Sequence, residues 1–262
     1  MGPAMALQGK YARSGMDFEI VRKQALAYRE ELLAKKAAIA PADFGWYPYD
    51  TMANVFHLDN MLSGPRREIF SEISGGAVAD IGAADGDFGF FLEQQLGCQV
   101  DIIDNGPTNF NGLRGAARMK QELDSPIAIH EIDLDSQFAL PRDSYRAVFF
   151  LGILYHLKNP FYVLEALSAR TELCFVSTRI AERTPDRTRI KEAPVAYLLN
   201  PAEANNDSTN YWIFSETGLR RLFERTGWEI LDFTTVGCTD GSNPTDSDRD
   251  ERAFALLRST RI

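Results

Sequence analysis

The chain has 262 residues, of which 45% are hydrophobic, 25% charged and 11% aromatic; no apolar run approaches the ~18 residues of a membrane-spanning helix. That length accommodates one well-buried α/β domain with an appendage. A formal net charge of −9 works against non-specific nucleic-acid binding, which needs Lys and Arg to displace counterions from phosphates. The three cysteines, Cys98, Cys174 and Cys238, are far apart and follow no CxxC spacing, which argues against a structural zinc site or a disulfide framework, and no metal is expected. The N-terminus lacks the charged, apolar and small-residue succession of a signal peptide, so a cytoplasmic location is expected. Met1-Gly2-Pro3-Ala4-Met5 is given no structural weight, with Met5 a candidate native start.

From Asp17 to Ala38 good helix formers run without Gly or Pro, with Ile20, Ala27, Leu32 and Leu33 as the expected apolar stripe, Asp17 as N-cap and Pro41 just past the end. The aromatic stretch Phe44-Gly45-Trp46-Tyr47-Pro48-Tyr49 follows, then a further helical segment near 58–73. Residues 1–74 are therefore expected to form a helical cap. Trp46, Tyr47, Tyr49 and His57 are expected either to cover the site or to pack the cap onto the sheet.

The pattern changes at Gly75-Gly76, and residues 75–262 are expected to form the main domain. Short apolar runs at 77–81, 100–103, 127–132, 147–151 and 173–177 alternate with helical patterns at 88–96, 109–123 and 160–169, which argues for a parallel sheet covered on both faces. Residues 179–214 read as an insertion on the acceptor side. Within it, Arg179, Arg183, Arg187, Arg189 and Lys191 form a basic run diluted by Glu182, Asp186 and Glu192, which predicts a solvated loop or helix face. A helix at 216–226, with Gly227 at its C′ position, leads to strands at 229–234 and 253–257.

The most informative segment is Asp80-Ile81-Gly82-Ala83-Ala84-Asp85-Gly86-Asp87-Phe88-Gly89, which follows the first strand and opens a helix. Glycines there permit a tight turn and close approach of a ligand to the backbone. A dinucleotide fingerprint reads GxGxxG and offers helix N–H groups to a pyrophosphate. Here the glycines are spaced GxxxGxxG among Asp80, Asp85 and Asp87, carboxylates that repel a pyrophosphate and suit an ammonium and a sulfonium. S-adenosylmethionine is thus the expected cofactor, approached by Asp80, Gly82, Ala84 and Gly86. Asp104, 22 residues after Gly82, is placed to accept both ribose hydroxyls, with Asn105 beside it. Asp133 and Leu134, after the third strand, are placed at adenine; the alternative for Asp133 is a solvated strand-end carboxylate.

These segments resemble the successive motifs of class I S-adenosylmethionine-dependent methyltransferases over roughly 77–257. The resemblance implies a Rossmann-like, mostly parallel seven-stranded sheet with its last strand antiparallel. A narrower resemblance lies in Phe150-Leu151-Gly152-Ile153-Leu154-Tyr155-His156-Leu157-Lys158-Asn159-Pro160. It is similar to the GVLYHxxxP segment of the tRNA wobble-uridine (mo5U34) methyltransferase and carboxymethyltransferase family. Asn210-Tyr211-Trp212-Ile213-Phe214-Ser215, Gly227-Trp228, Phe44-Gly45 and Asp50-Thr51 also resemble that family. Its carboxymethyltransferases hold a carboxylated donor with a Lys before the aromatic segment and an Arg before the Asn-aromatic stretch. No Lys occurs between Ala37 and Ile81, and Thr209 stands at the Arg position, so unmodified S-adenosylmethionine is expected.

Leu151 and Gly152 are expected beside the donor, and the resemblance gives Tyr155 a donor contact. His156 is a candidate general base, with a backbone-bonded helix-start imidazole as the alternative. Tyr197, Asn200, Asn205, Asn206, Asn210, Tyr211 and Trp212 are candidates to grip an acceptor, or else a solvent-facing loop; His130 is assigned no role. The expected function is methyl transfer to oxygen or nitrogen of a small-molecule or glycan-like acceptor. The alternatives are a tRNA wobble-uridine methyltransferase, disfavoured by the acidic charge, and a non-catalytic cofactor-binding protein. No membrane partner is expected, and the oligomeric state is not legible.

Overall fold

The computed structural model describes residues 17–262. The candidate start at Met5 and the first part of the 1–74 cap lie outside the described residues.

Helix α1 (Phe18–Ile39) starts at Asp17, whose side chain accepts from the Glu19 amide at 3.4 Å. Its buried stripe is Phe18, Val21, Ala25, Tyr28, Leu32 and Lys36. Of the expected stripe only Leu32 is buried. Ala27 faces out, and Ile20 and Leu33 are 49% and 48% exposed, because 3.6 residues per turn places the Phe18–Val21–Ala25 row inward. The second helical segment is broken into α2 (Asn54–Met61) and α3 (Ile69–Ile73) by a turn containing Gly64 and Pro65.

The sheet is built from β1 (Ala77–Ile81), β2 (Gln99–Asp104), β3 (Ala128–Glu131), β4 (Tyr145–Leu151), β5 (Thr171–Ile180), β6 (Ala196–Leu198), β7 (Trp212–Phe214), β8 (Trp228–Gly237) and β9 (Glu251–Ser259). Strands β3-β2-β1-β4-β5 are parallel neighbours. Antiparallel β9 lies between β5 and β8, from Leu173↔Arg258 to Ile180↔Glu251 on one side. That is the seven-stranded sheet with a reversed last strand implied by the resemblance. To it are added the short antiparallel β6 and β7, which join β5 through Ile180↔Phe214.

Helices α4 (Asp87–Leu96), α5 (Arg114–Glu122), α6 (Pro160–Ser168) and α7 (Glu216–Arg225) fill the crossovers. Strand alternation divides the core between the two faces. Val78, Ile102, Ala147, Phe149 and Phe175 pack with α1–α4, whereas Ala79, Ile103, Val148, Phe150 and Val176 pack with α6 and α7. Phe149 and Phe175 stack at 4.7 Å on the first face. Among the described residues no helix is long and apolar enough to cross a membrane.

Candidate active site

The site lies at the carboxyl ends of β1, β2 and β4, where crossovers depart to opposite faces of an open sheet and leave a crevice. At the end of β1 the chain turns through Gly82 (φ +71°) and Gly86 (φ +81°). A Cβ on Gly82 would fall 2.8 Å from Ile153 Cδ1, and one on Gly86 would fall 2.7 Å from Ile102 Cδ1. Both positions therefore require glycine for backbone sign and for space. Ala84 between them also has a positive φ, 54°, and its amide donates to Asp104 Oδ2 at 3.1 Å.

The acidic residues of this turn have two different roles. Asp85 and Asp87 already share a cation: Lys36 of α1 reaches between them, 3.0 Å from Asp85 Oδ2 and 2.7 Å from Asp87 Oδ2. Asp85 also accepts from the Tyr47 amide at 2.8 Å and from Asn111 Nδ2 at 2.7 Å. A buried lysine thus offsets one of their two charges, which weakens the expected repulsion of a diphosphate without removing it: the Asp85 oxygens are taken by the protein, whereas Asp87 Oδ1 is buried without a hydrogen-bond partner. Asp80 differs. It is 5% exposed, and its Oδ2 has no hydrogen-bond partner. Burial pushes its carboxyl up to about 7, against a lowering by the Gly89 amide, with Asp104 and Asp87 raising it further.

Asp104 closes the other side from the end of β2. Its Oδ1 accepts from the Asn105 amide at 2.8 Å, and its Oδ2 from the Ala84 amide and from Asn109 Nδ2 at 2.9 Å. Burial raises its pKa, opposed by those three donors. Three of about four carboxylate acceptor directions are thus taken, leaving one on Oδ1, so receiving two hydroxyls requires Asn109 to swing away. Asp133 is exposed and bonds its own turn, accepting from the Asp135 amide at 3.0 Å and Ser136 Oγ at 2.8 Å. Leu134 beside it is buried in the core cluster that also holds Ile103 and Leu154.

Leu151 is half-buried at the end of β4, followed by Gly152 at φ +79°. Tyr155 and His156 lie in a single helical turn, Leu154–His156, their rings 4.2 Å apart. His156 Nδ1 lies 3.0 Å from Thr209 Oγ1 and 3.2 Å from the Thr209 carbonyl. The Thr209 hydroxyl donates to Asp207 Oδ1 at 2.7 Å, so both neighbours of Nδ1 are acceptors. Nδ1 therefore carries the proton, and the lone pair resides on Nε2, to which no hydrogen bond is made among the described residues. Burial holds the imidazole pKa below its usual value, with Asp207 opposing. Thr209, which replaces the cation expected of a carboxymethyltransferase, is the residue that fixes this tautomer.

Members of the aromatic segment differ in their surroundings. Trp46 packs on the core and donates to the Lys36 carbonyl at 3.1 Å, whereas Tyr47 lies near enough to Tyr155, Arg252 and Asp104 to feel their charges. His57 stacks on Phe254 at 4.7 Å. In the insertion, the Tyr211 amide donates to the Tyr155 carbonyl at 2.8 Å and Asn210 Nδ2 to the Ala204 carbonyl at 3.0 Å, which docks that segment on the β4 turn. Tyr197 bonds Glu203, and Trp212 bonds the Lys158 carbonyl. Strand β5 continues through Ile180, so Arg179 belongs to the sheet: it is 3% exposed and ion-paired to Asp250, contrary to a solvated basic run. Arg252, which sequence reasoning passed over, stands beside Tyr155 with its guanidinium 5.7 Å from the ring centroid. Arg252 occupies neither of the two positions at which a carboxymethyltransferase cation was sought, so the site holds a cation that the comparison of those positions did not reveal.

Sheet order, reversed last strand and the glycine turn after β1 define the class I methyltransferase fold. The chain superposes on the N-terminal domain of EvdMO1, crystallised with S-adenosylhomocysteine (SAH) and D-fucose, at TM-score 0.56 and 14% identity, over 93% of this chain and 97% of that one. Coclaurine N-methyltransferase bound to N-methylheliamine and SAH matches at TM-score 0.56 and 11% identity, over 93% and 95%. The [4+2]-cyclase SpnF matches at TM-score 0.54 and 12% identity, over 91% and 95%. No family model and no curated protein sequence matches the chain.

Proposed function

We infer that the chain is an S-adenosylmethionine-dependent methyltransferase acting on oxygen or nitrogen of a small-molecule acceptor. The observation that carries this reading is the cradle between β1 and β2: a turn with no room for Cβ atoms at Gly82 and Gly86, flanked by Asp80 with an unpartnered oxygen and by Asp104 with an open acceptor position. Two such carboxylates favour a ligand with hydroxyls and a positive charge over a diphosphate. The relatives crystallised with SAH support the same ligand.

In this reading the backbone of Gly82, Ala84 and Gly86 approaches the cofactor, with Asp80 near its charged end. Asp104 and Asn105 take the ribose, Asp133 and Leu134 the adenine, and Leu151 and Tyr155 the neighbourhood of the sulfonium. When bound, the cofactor supplies an electrophilic methyl group. The protein orients the acceptor in line and excludes water, and His156 Nε2 takes the acceptor's proton. The negative total charge supports a small acceptor over tRNA.

Because a cyclase shares the fold, the chemistry must be tested directly. Calorimetry with SAH and with NAD, followed by transfer of a labelled methyl group across an acceptor panel, does so. SAH binding together with labelled product is expected. Binding of NAD in place of SAH overturns the cofactor reading, SAH binding without transfer indicates a non-catalytic protein, and turnover on tRNA that falls steeply with salt moves the acceptor to nucleic acid.

A further inference from the structure

Arg252 enters the site from β9, the reversed strand. In the β5–β9 ladder it lies directly opposite Arg179, so the two side chains share one face of the sheet. A single carboxylate, Asp250, serves both: Arg179 Nε bonds Asp250 Oδ1, and Arg252 Nε lies 3.4 Å from Asp250 Oδ2. Two guanidinium groups and one carboxylate leave one positive charge uncompensated. Arg179 is 3% exposed and its Nη1 is buried without a hydrogen-bond partner, so this pair holds more donors than acceptors. The cluster adjoins the β4 turn. Arg252 Nη1 lies 4.0 Å from where a Cβ on Gly152 would be, its guanidinium borders the Tyr155 ring, and Tyr47 and His57 lie within its electrostatic reach. Burial opposes the charge on Arg252, yet Tyr155 and Asp250 outweigh it and raise the guanidinium pKa. The Arg252 side chain is 36% exposed whereas Arg179 behind it is buried, so the surplus charge is presented at the open side of the cluster, where an anion can reach it.

We propose that Arg252, backed by Arg179 and Asp250, binds a carboxylate of the acceptor, so that the substrate is a small hydroxylated or aminated carboxylic acid. A planar guanidinium matches a carboxylate in fork geometry, and one uncompensated charge balances a monoanion where a phosphate dianion would leave an excess. The neighbouring Tyr155 and Tyr47 suit a planar or apolar acceptor body, and His156 is placed to receive the proton from the reacting group.

This inference rests on the methyltransferase reading, and the test separates the two. Full-length protein is titrated with SAH, and the SAH complex then with benzoate, 4-hydroxybenzoate and lactate, each against its amide. At least one carboxylate is expected to bind about tenfold or more tightly than its amide, the scale of a charge-assisted bond. Arg252→Gln should abolish that preference while SAH affinity stays within about twofold, and Arg252→Lys should retain part of it. Failure to bind SAH overturns both readings. SAH binding with no preference for any carboxylate, or a preference that survives in Arg252→Gln, overturns the acceptor assignment alone. A carboxylated analogue of the donor that outbinds S-adenosylmethionine, with the gain lost in Arg252→Gln, places the anion on the donor and likewise overturns it.

Discussion

Replacing Asp80 by Asn removes a buried negative charge while keeping the side chain's shape. Burial raises the folded-state pKa of Asp80 from 3.8 to about 7, so between those values the folded chain holds a proton that the unfolded chain releases. Its contribution to stability therefore declines as pH rises through that interval and is level above it. At ~1.4 kcal/mol per tenfold change in proton affinity, the cost to the parent is roughly 2 kcal/mol at pH 5 and roughly 4 kcal/mol at pH 8. Asparagine carries no such term, and its buried amide imposes the same cost at both pH values. Urea unfolding of parent and Asp80→Asn at pH 5 and pH 8 isolates the difference: the variant should gain roughly 2–3 kcal/mol on the parent across that range. On the proposed placement of Asp80 at the charged end of the cofactor, the variant's affinity for SAH should weaken over the same range. A parent–variant difference that is constant with pH to within about 0.5 kcal/mol, or that reverses, refutes the claim that Asp80 is a buried, uncompensated carboxyl.

Asp104→Ala should weaken SAH binding by more than about tenfold by calorimetry, because a charged acceptor of hydroxyl groups is lost; unchanged affinity removes Asp104 from the ribose site. His156→Ala should lower kcat more than it changes SAH affinity, and the acidic limb of the parent's kcat profile should fall below pH ~6.5, since burial depresses the imidazole pKa and the base stays neutral until lower pH. Lys36→Met should destabilise the protein by about 3–5 kcal/mol in urea unfolding at neutral pH, because two carboxylates are left buried without their cation; a loss under about 1 kcal/mol contradicts the buried ion pair. Gly86→Ala should cost stability through both its positive φ and the clash with Ile102, read as a lower unfolding midpoint.

The parallel sheet was legible because buried strands β1, β4 and β5 are predominantly apolar, charged only near their ends, and glycine marks the turn after β1. The three-residue strands β6 and β7 were not, since so short a ladder depends on which distant segment lies alongside and leaves no period in the sequence. The cradle residues Asp80, Gly82, Gly86 and Asp104 meet as their order along a βαβ unit implied. What sequence reading missed are partners fixed by tertiary register: Thr209 against His156, and Arg179 opposite Arg252. Lys36 was within reach, because it continues the Phe18–Val21–Ala25–Tyr28–Leu32 row by a further four residues, and a lone cation on an apolar row signals a buried anion.

That lysine joins the first helix to the ligand cradle in one thermodynamic cycle. Any fluctuation that lifts α1 withdraws positive charge from Asp85 and Asp87 and leaves the turn between β1 and α4 repelling itself. A ligand that orders this turn must in the same degree hold α1 down, so amide hydrogen exchange in the helix should slow when the cradle is filled. Slowed exchange in α1 on addition of SAH would thus report, from a helix outside the turn itself, that the turn had been filled.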